Sequence, residues 1–172
     1  MAVHPRVEQL RFARSEFARG LDGVGAEEAR RRLLPMNSIG WMIGHMASQE
    51  YRYWIYRAQG RNPLPAALDL APYGKPATTP PLDLVWDTWH AVVDLVDPYL
   101  DALTSETLET RLVIDGRPHD ETLGTMVQRV TYHYWFHTGE SQAVRQLLGH
   151  TELAEYVGDF TDAAVYRRES TA

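Results

Sequence analysis

The chain has 172 residues, 44% of them hydrophobic, with 23 acidic against 17 basic side chains and a formal net charge of −6. That length and apolar content predict a single domain over 1–172 with a full core, not a mini-protein that needs staples. The acidic balance disfavours nucleic acid, whose phosphates are gripped by clustered Lys and Arg. The absence of cysteine excludes disulfides, a thiolate nucleophile and sulfur ligands, so any transition metal must be held by nitrogen and oxygen.

The first predicted helix runs from Pro5 to Arg19, with Pro5 suited to an initial helical position and Gly20 to a stop. Val7, Leu10, Phe12, Ala13 and Phe17 supply its apolar face. Its charges at Arg6, Glu8, Arg11, Arg14, Glu16 and Arg19 exclude the apolar core of a signal peptide. No uncharged run anywhere reaches the ~20 residues of a membrane span, so a soluble, cytoplasmic protein without a membrane partner is expected. A short helical piece, Ala26 to Leu33, ends at Pro35. Arg30, Arg31 and Arg32, like Arg167 and Arg168, are flanked by acids and read as solvated faces.

Asn37 is placed to cap a helix that runs to Gly60 through Ile39, Met42, Ile43, Met46, Tyr53, Trp54 and Tyr56. Residues 61–81 hold six prolines, at 63, 65, 72, 76, 80 and 81, and must form a connection. Loops of that length in compact domains often wall a pocket. The pattern Leu82, Val85, Trp86, Trp89, Val92, Val93, Val96, Leu100 predicts a helix from Leu82 to Leu103, with Pro98 expected to kink it or split off its last turn. Thr110 to Pro118, centred on Asp115-Gly116, fits a small hairpin.

A long helix from Thr122 to Leu148, roughly 40 Å, presents an inner stripe of Met126, Val130, His133, His137, Val144 and Leu147 or Leu148. Gly124 and Gly139 each cost about 1 kcal/mol relative to alanine inside a helix, which predicts a close neighbour at both. After Gly149 the tail, including Leu153 to Phe160, is expected to fold back over the bundle, with residues beyond about Arg167 fraying. No internal repeat is present. The sum is an all-α four-helix bundle with long crossover connections, an architecture that builds metal sites from side chains on facing helices.

His133 and His137 stand on one face of the long helix, roughly 5–6 Å apart at Cβ, a span one divalent ion bridges at about 2.0–2.1 Å per nitrogen. A third ligand can come from a facing helix, and His45 is the candidate. From spacing alone the pair is more readily read as core imidazoles bonded to backbone or water. Tyr134-Trp135-Phe136 fills the gap between the two, so the His-Glu-x-x-His signature and its general base are absent and a zinc protease is excluded.

The stretches Ser38-Ile-Gly-Trp-Met-Ile-Gly-His45-Met-Ala-Ser-Gln-Glu50 and Val130-Thr-Tyr-His133-Tyr-Trp-Phe-His137-Thr-Gly-Glu140-Ser-Gln-Ala-Val-Arg-Gln-Leu-Leu-Gly149 resemble the DinB-like superfamily. These DinB/YfiT-like four-helix bundles include bacillithiol and mycothiol S-transferases. The resemblance covers nearly the whole chain. It implies a divalent metal (zinc, nickel or iron) held by His45, His133 and His137, and a homodimer. It further implies a metal-dependent enzyme of S-transfer or detoxification type. An external low-molecular-weight thiol and an electrophilic substrate would be its small-molecule partners. A non-catalytic metal-binding stress-response bundle and a metal-dependent hydrolase are the alternatives.

Glu140 lies on the same face as the pair and could serve as a fourth ligand, an acceptor that fixes an imidazole tautomer, a general base, or a surface ion-pair partner. Related sulfoxide synthases of ergothioneine biosynthesis carry His-x-x-x-His-x-Glu, and here the glutamate falls one residue later. Glu50, five residues after His45, points about 140° away from it and is not expected to reach the metal. Trp41, Tyr132 and Trp135 are expected at the bundle mouth. His4, His90, His119 and His150 are expected to be incidental.

Overall fold

The computed structural model describes residues 3–155, 157, 158 and 160–166. Helix α1 spans Pro5–Arg19; the His4 ring accepts the Arg6 N–H at its start. A short α2, Ala26–Arg30, leads into α3, Ile39–Glu50, which continues without a break into a π-helical stretch, Tyr51–Arg57. Helix α4 covers Leu82–Asp101, α5 covers Ser105–Glu109, α6 covers Leu123–Leu147, and a final turn α7 covers Phe160–Ala163. Strands β1, Arg111–Ile114, and β2, Arg117–Thr122, form the antiparallel hairpin between α5 and α6. Helix α1 packs along α6, and α3 packs along α4 and α6, so the four long helices enclose one core. The all-α expectation holds, with long crossings at 58–81 and 102–122.

The boundaries moved for local reasons. Ser38, not Asn37, caps α3: its hydroxyl accepts the Trp41 N–H at 3.2 Å. The second piece stops at Arg30, short of Leu33. Pro98 neither splits nor ends α4. Both it and Asp94, whose carbonyl loses its helical donor, lie on the exposed face of the helix, where the loss of one internal bond costs least. The hairpin turns at Asp115 and Gly116, with φ of 51° and 76°, the pairing a two-residue primed turn requires; its second strand extends to Thr122, beyond the expected Pro118. The hydroxyl of Thr122 then caps α6.

Of the two helical glycines, only Gly124 marks a close approach: a Cβ there would sit 3.1 Å from the Leu108 carbonyl oxygen. At Gly139 nothing lies within 4 Å, because that position faces solvent. Leu147 is also outside the stripe, 64% exposed, while Leu148 packs against the core. The tail does return to α1. Gly158 N–H donates to Glu16 Oε2 at 2.7 Å, and Gln9 Nε2 donates to the Ala164 carbonyl at 3.2 Å. The expectations for Arg167, Arg168 and the residues after them lie outside the described residues.

A polar network crosses the apolar core and ties all four long helices. Arg14 of α1, 3% exposed, donates from Nε to Glu50 Oε1 of α3 at 2.7 Å and pairs again through Nη2 with Glu50 Oε2. Its Nη1 donates to Asp97 of α4 at 2.6 Å. Trp89 Nε1 donates to the Tyr134 hydroxyl at 2.9 Å, which donates to Glu50 Oε1 at 2.6 Å. Burial alone would pull the Arg14 guanidinium down, but the charge and hydrogen bonds of Glu50 outweigh it and hold it well above its ordinary value. Burial, then the neighbouring Glu50 charge, pushes the Tyr134 phenol well up, so it stays a neutral donor. This explains Glu50: it faces the core partner of α1 and not the histidines.

Candidate metal centre

Helices α3 and α6 meet so that residues 49 and 50 of one face residues 133 and 134 of the other. The Glu50–Tyr134 contact is the buried half of that register. Its outer half is Gln49, whose side-chain oxygen accepts from His133 Nδ1. His137 lies one turn further along α6, and His45 one turn back along α3. The histidines His45, His133 and His137 therefore converge, their ligating nitrogens all within 4.8 Å of one another.

Each ring is oriented from outside. His45 Nδ1 meets the Ala71 carbonyl at 3.0 Å, His137 Nδ1 meets Glu140 Oε2 at 2.7 Å, and His133 Nδ1 meets Gln49 Oε1. A carbonyl, a carboxylate and an amide oxygen only accept, so each bond places the proton on Nδ1 and leaves the Nε2 lone pair free. Those three lone pairs are turned inward, and His137 Nε2 lies 2.9 Å from His133 Nε2. Two lone pairs at that distance repel unless a cation or a proton lies between them. Oxygen partners behind metal-binding imidazoles are the usual means of fixing tautomer and ring orientation.

Burial keeps His45 and His133 neutral, the form that binds a metal. Burial first, then the charges of His137 and His45, push His133 down to about 3. Burial likewise lowers His45. Trp41 stacks flat on His45, with ring centroids 4.5 Å apart and an interplanar angle of 11°, which shields that side of the site. Nitrogen donors alone, at about the span one ion bridges, suit a divalent transition metal. Among the described residues no fourth His, Asp or Glu joins the group.

A cleft of about 980 Å³ opens onto this group and includes His45 and His133 in its wall. The proline-rich crossing forms one side, contributing Pro72 and Tyr73. It is fastened along one face of α3 and its π-helical continuation. His45 reaches the Ala71 carbonyl, Ser48 donates to Ala67 at 2.6 Å, and Arg52 donates to Leu68 at 3.3 Å. The expected pocket wall is present, and a 3-10 turn at Pro65–Leu68 supplies two of its carbonyls.

The other expectations resolve individually. Glu140 stands behind His137, touching its Nδ1 and not the inward-facing nitrogens. Tyr132 lines the cleft, whereas Trp135 packs on Phe12 of α1, 5.9 Å between centroids, on a different face. His4 caps α1, His90 stacks on Trp86, His119 accepts from Glu121 N–H, and His150 bridges Arg145 and Glu28; none joins the cluster. Sequence reasoning missed the role of Gln49, although it lies inside a recognised stretch, and the π-helical Arg52 and Arg57 in the cleft wall. It had no signal for Ala71, because any residue offers the same carbonyl.

Comparison with known proteins gives the family and the fold. The DinB superfamily matches over residues 9–141, which takes in all three histidines and Glu140. The chain is similar in fold to a conserved protein from Enterococcus faecalis of known crystal structure, with a TM-score of 0.64 and 21% identity, over 84% of this chain and 96% of that one. No curated protein sequence matches.

Proposed function

The chain is a member of the DinB superfamily, and from that premise we propose that it is a metal-dependent enzyme transferring an external low-molecular-weight thiol to an electrophile. His45, His133 and His137 are the proposed ligands of a zinc, nickel or iron ion. The observation that carries the proposal is the set of three Nδ1 contacts to oxygen acceptors, which leaves the three Nε2 nitrogens to converge on one point. A divalent ion held there would supply Lewis acidity, favouring a thiolate or hydroxide near neutral pH.

The chain's own residues supply the rest. Gln49, Glu140 and the Ala71 carbonyl hold the ring protons at Nδ1, so Glu140 acts through His137 as a positioning residue. With no cysteine in the chain, the nucleophilic sulfur must arrive with a substrate. The cleft can seat it and its electrophile together, since sites of 300–1,000 Å³ hold typical small ligands and this one is about 980 Å³. In the transfer a sulfur–carbon bond forms, the leaving group departs with its electron pair, and the thiol proton passes to solvent. Access from the cleft and the lack of a fourth protein ligand among the described residues favour this over a closed, non-catalytic site.

The test is conjugation of monobromobimane by protein purified without added metal, with bacillithiol, mycothiol or glutathione as thiol. The expected result is a conjugation rate above the uncatalysed one with at least one thiol, abolished by chelator and by His137→Ala. Metal-loaded protein that conjugates none of them, yet cleaves simple esters without thiol, would replace this reading with hydrolysis.

A further inference from the structure

The cleft has the opposite charge to the chain that builds it. The protein carries a net charge of −6, yet the described residues lining the cleft include Arg52, Arg57 and Arg129 and no Asp or Glu. Arg129 is neutralised, its Nε 2.9 Å from both oxygens of Glu121. Arg52 and Arg57 are half-buried, and among the described residues neither pairs with a carboxylate. Leaving two guanidinium groups half-desolvated without counter-charge is unfavourable unless something else supplies it.

The backbone is shaped to put both there. Residues five apart on an α-helix point about 140° away from each other, which would send Arg57 off the cleft. Tyr51–Arg57 is instead wound as a π-helix, with Ala58 N–H bonded to the Tyr53 carbonyl, and i→i+5 winding stacks residues five apart on nearly one face. Both side chains are also braced. Arg52 donates one Nη2 bond to Leu68, and the Arg57 guanidinium lies over the Tyr53 ring, 5.6 Å from its centroid. Most of their donors remain free for a ligand.

We infer that Arg52 and Arg57 form an oxyanion subsite, which selects a small molecule bearing a carboxylate or phosphate group and orients its other end toward the histidine cluster. Arg52 follows His45 by seven residues, two turns or about 10 Å along the helix, so the anionic group is held apart from the reacting end. Exposed Tyr73, Tyr132 and Phe136 flank the path and offer apolar contact to its middle. The inference rests on reading cleft and histidines as one site, and it adds the charge of the substrate to the proposed reaction.

The test is isothermal titration calorimetry on the protein as purified, with succinate, inorganic phosphate and 1,4-butanediol as probes and metal content measured on every sample. Succinate or phosphate is expected to bind, whichever does naming the preferred oxyanion, while the neutral diol does not. Arg52→Gln and Arg57→Gln should each weaken that binding about tenfold with metal content unchanged, and Arg57→Lys should weaken it less. His45→Ala separates the two claims, because it removes a proposed metal ligand and leaves both arginines. Anion binding that survives His45→Ala and falls with the arginine variants supports the subsite, whatever becomes of the metal. Binding that vanishes with His45→Ala and ignores the arginine variants would place the anion on the metal and overturn it, as would no binding by either anion. If Arg52→Gln fails to melt cooperatively, Arg57→Gln decides alone, since Arg57 holds no backbone carbonyl among the described contacts.

Discussion

Arg14→Met removes one half of a buried ion pair and leaves the other in place. Glu50 is fully buried, and Arg14 supplies two of its three hydrogen bonds; the third comes from Tyr134. Breaking such a pair by deleting one partner costs about 3–5 kcal/mol, because an uncompensated carboxylate stays in the core. Asp97, at about a third exposed, is hydrated on losing its contact and adds little. For a chain of this length each kcal/mol moves the melting temperature by roughly 2–4 °C, so a fall of about 6–20 °C is expected. The double variant Arg14→Met/Glu50→Leu replaces both charges with apolar volume and should regain most of the loss. Some deficit persists from the Tyr134 hydroxyl left without its acceptor, about 1–3 kcal/mol. Thermal unfolding followed by circular dichroism, with urea melts for ΔG, reads both. Arg14→Met within about 1 kcal/mol of wild type, or a double variant no more stable than the single, would refute the reasoning.

Gln49→Leu and Glu140→Ala each remove an oxygen behind a histidine, at His133 and His137 respectively. Both should weaken metal affinity by about 10–100-fold in competition with a chelating dye; unchanged affinity would show that the rings need no such support. Gly139→Ala should stabilise the protein by about 1 kcal/mol, since a Cβ there meets nothing within 4 Å. Gly124→Ala should destabilise it by about 1–3 kcal/mol, because its Cβ would press on the Leu108 carbonyl at 3.1 Å; equal effects in chemical melts would count against the packing described at α5. Protein stripped of metal should be most stable above about pH 6.5, the unfolded value for histidine, and lose stability as pH falls from there toward about 3, the folded value of His133. The sign follows because the unfolded chain binds more protons in that window, at up to about 1.4 kcal/mol per pH unit for each proton. Urea melts between pH 6.5 and 5.5 keep the window about one unit above the ordinary glutamate value of 4.5, where carboxylates contribute little; stability that rises on acidification over that range would contradict it.

The parts of the molecule legible in the sequence were those set by periodicity and by side-chain chemistry. The four-residue spacing of His133 and His137 fixed a shared face on α6, and the long apolar segments gave α1, α3, α4 and α6. What stayed hidden depends on which element lies opposite. Glu50 had no visible role because its partner, Arg14, is 36 residues away on another helix. Pro98 misled because a proline's effect depends on whether the carbonyl it orphans faces water, and no local pattern reports that. Gly139 misled for the same reason: a helical glycine signals close packing only when a neighbour is present. The π-helical winding of Tyr51–Arg57 follows from how the chain packs and not from residue propensity, so the placement of Arg52 and Arg57 on one face emerged only in three dimensions.

The proposed chemistry requires that three imidazoles hold one metal ion. Elemental analysis of protein purified without added metal, compared among wild type, His45→Ala, His133→Ala and His137→Ala, tests this directly. About one equivalent of zinc, nickel or iron in wild type, and strong depletion in each folded variant, is the predicted result. Equal metal content in all four proteins, or none in wild type even after exposure to these ions, would contradict it.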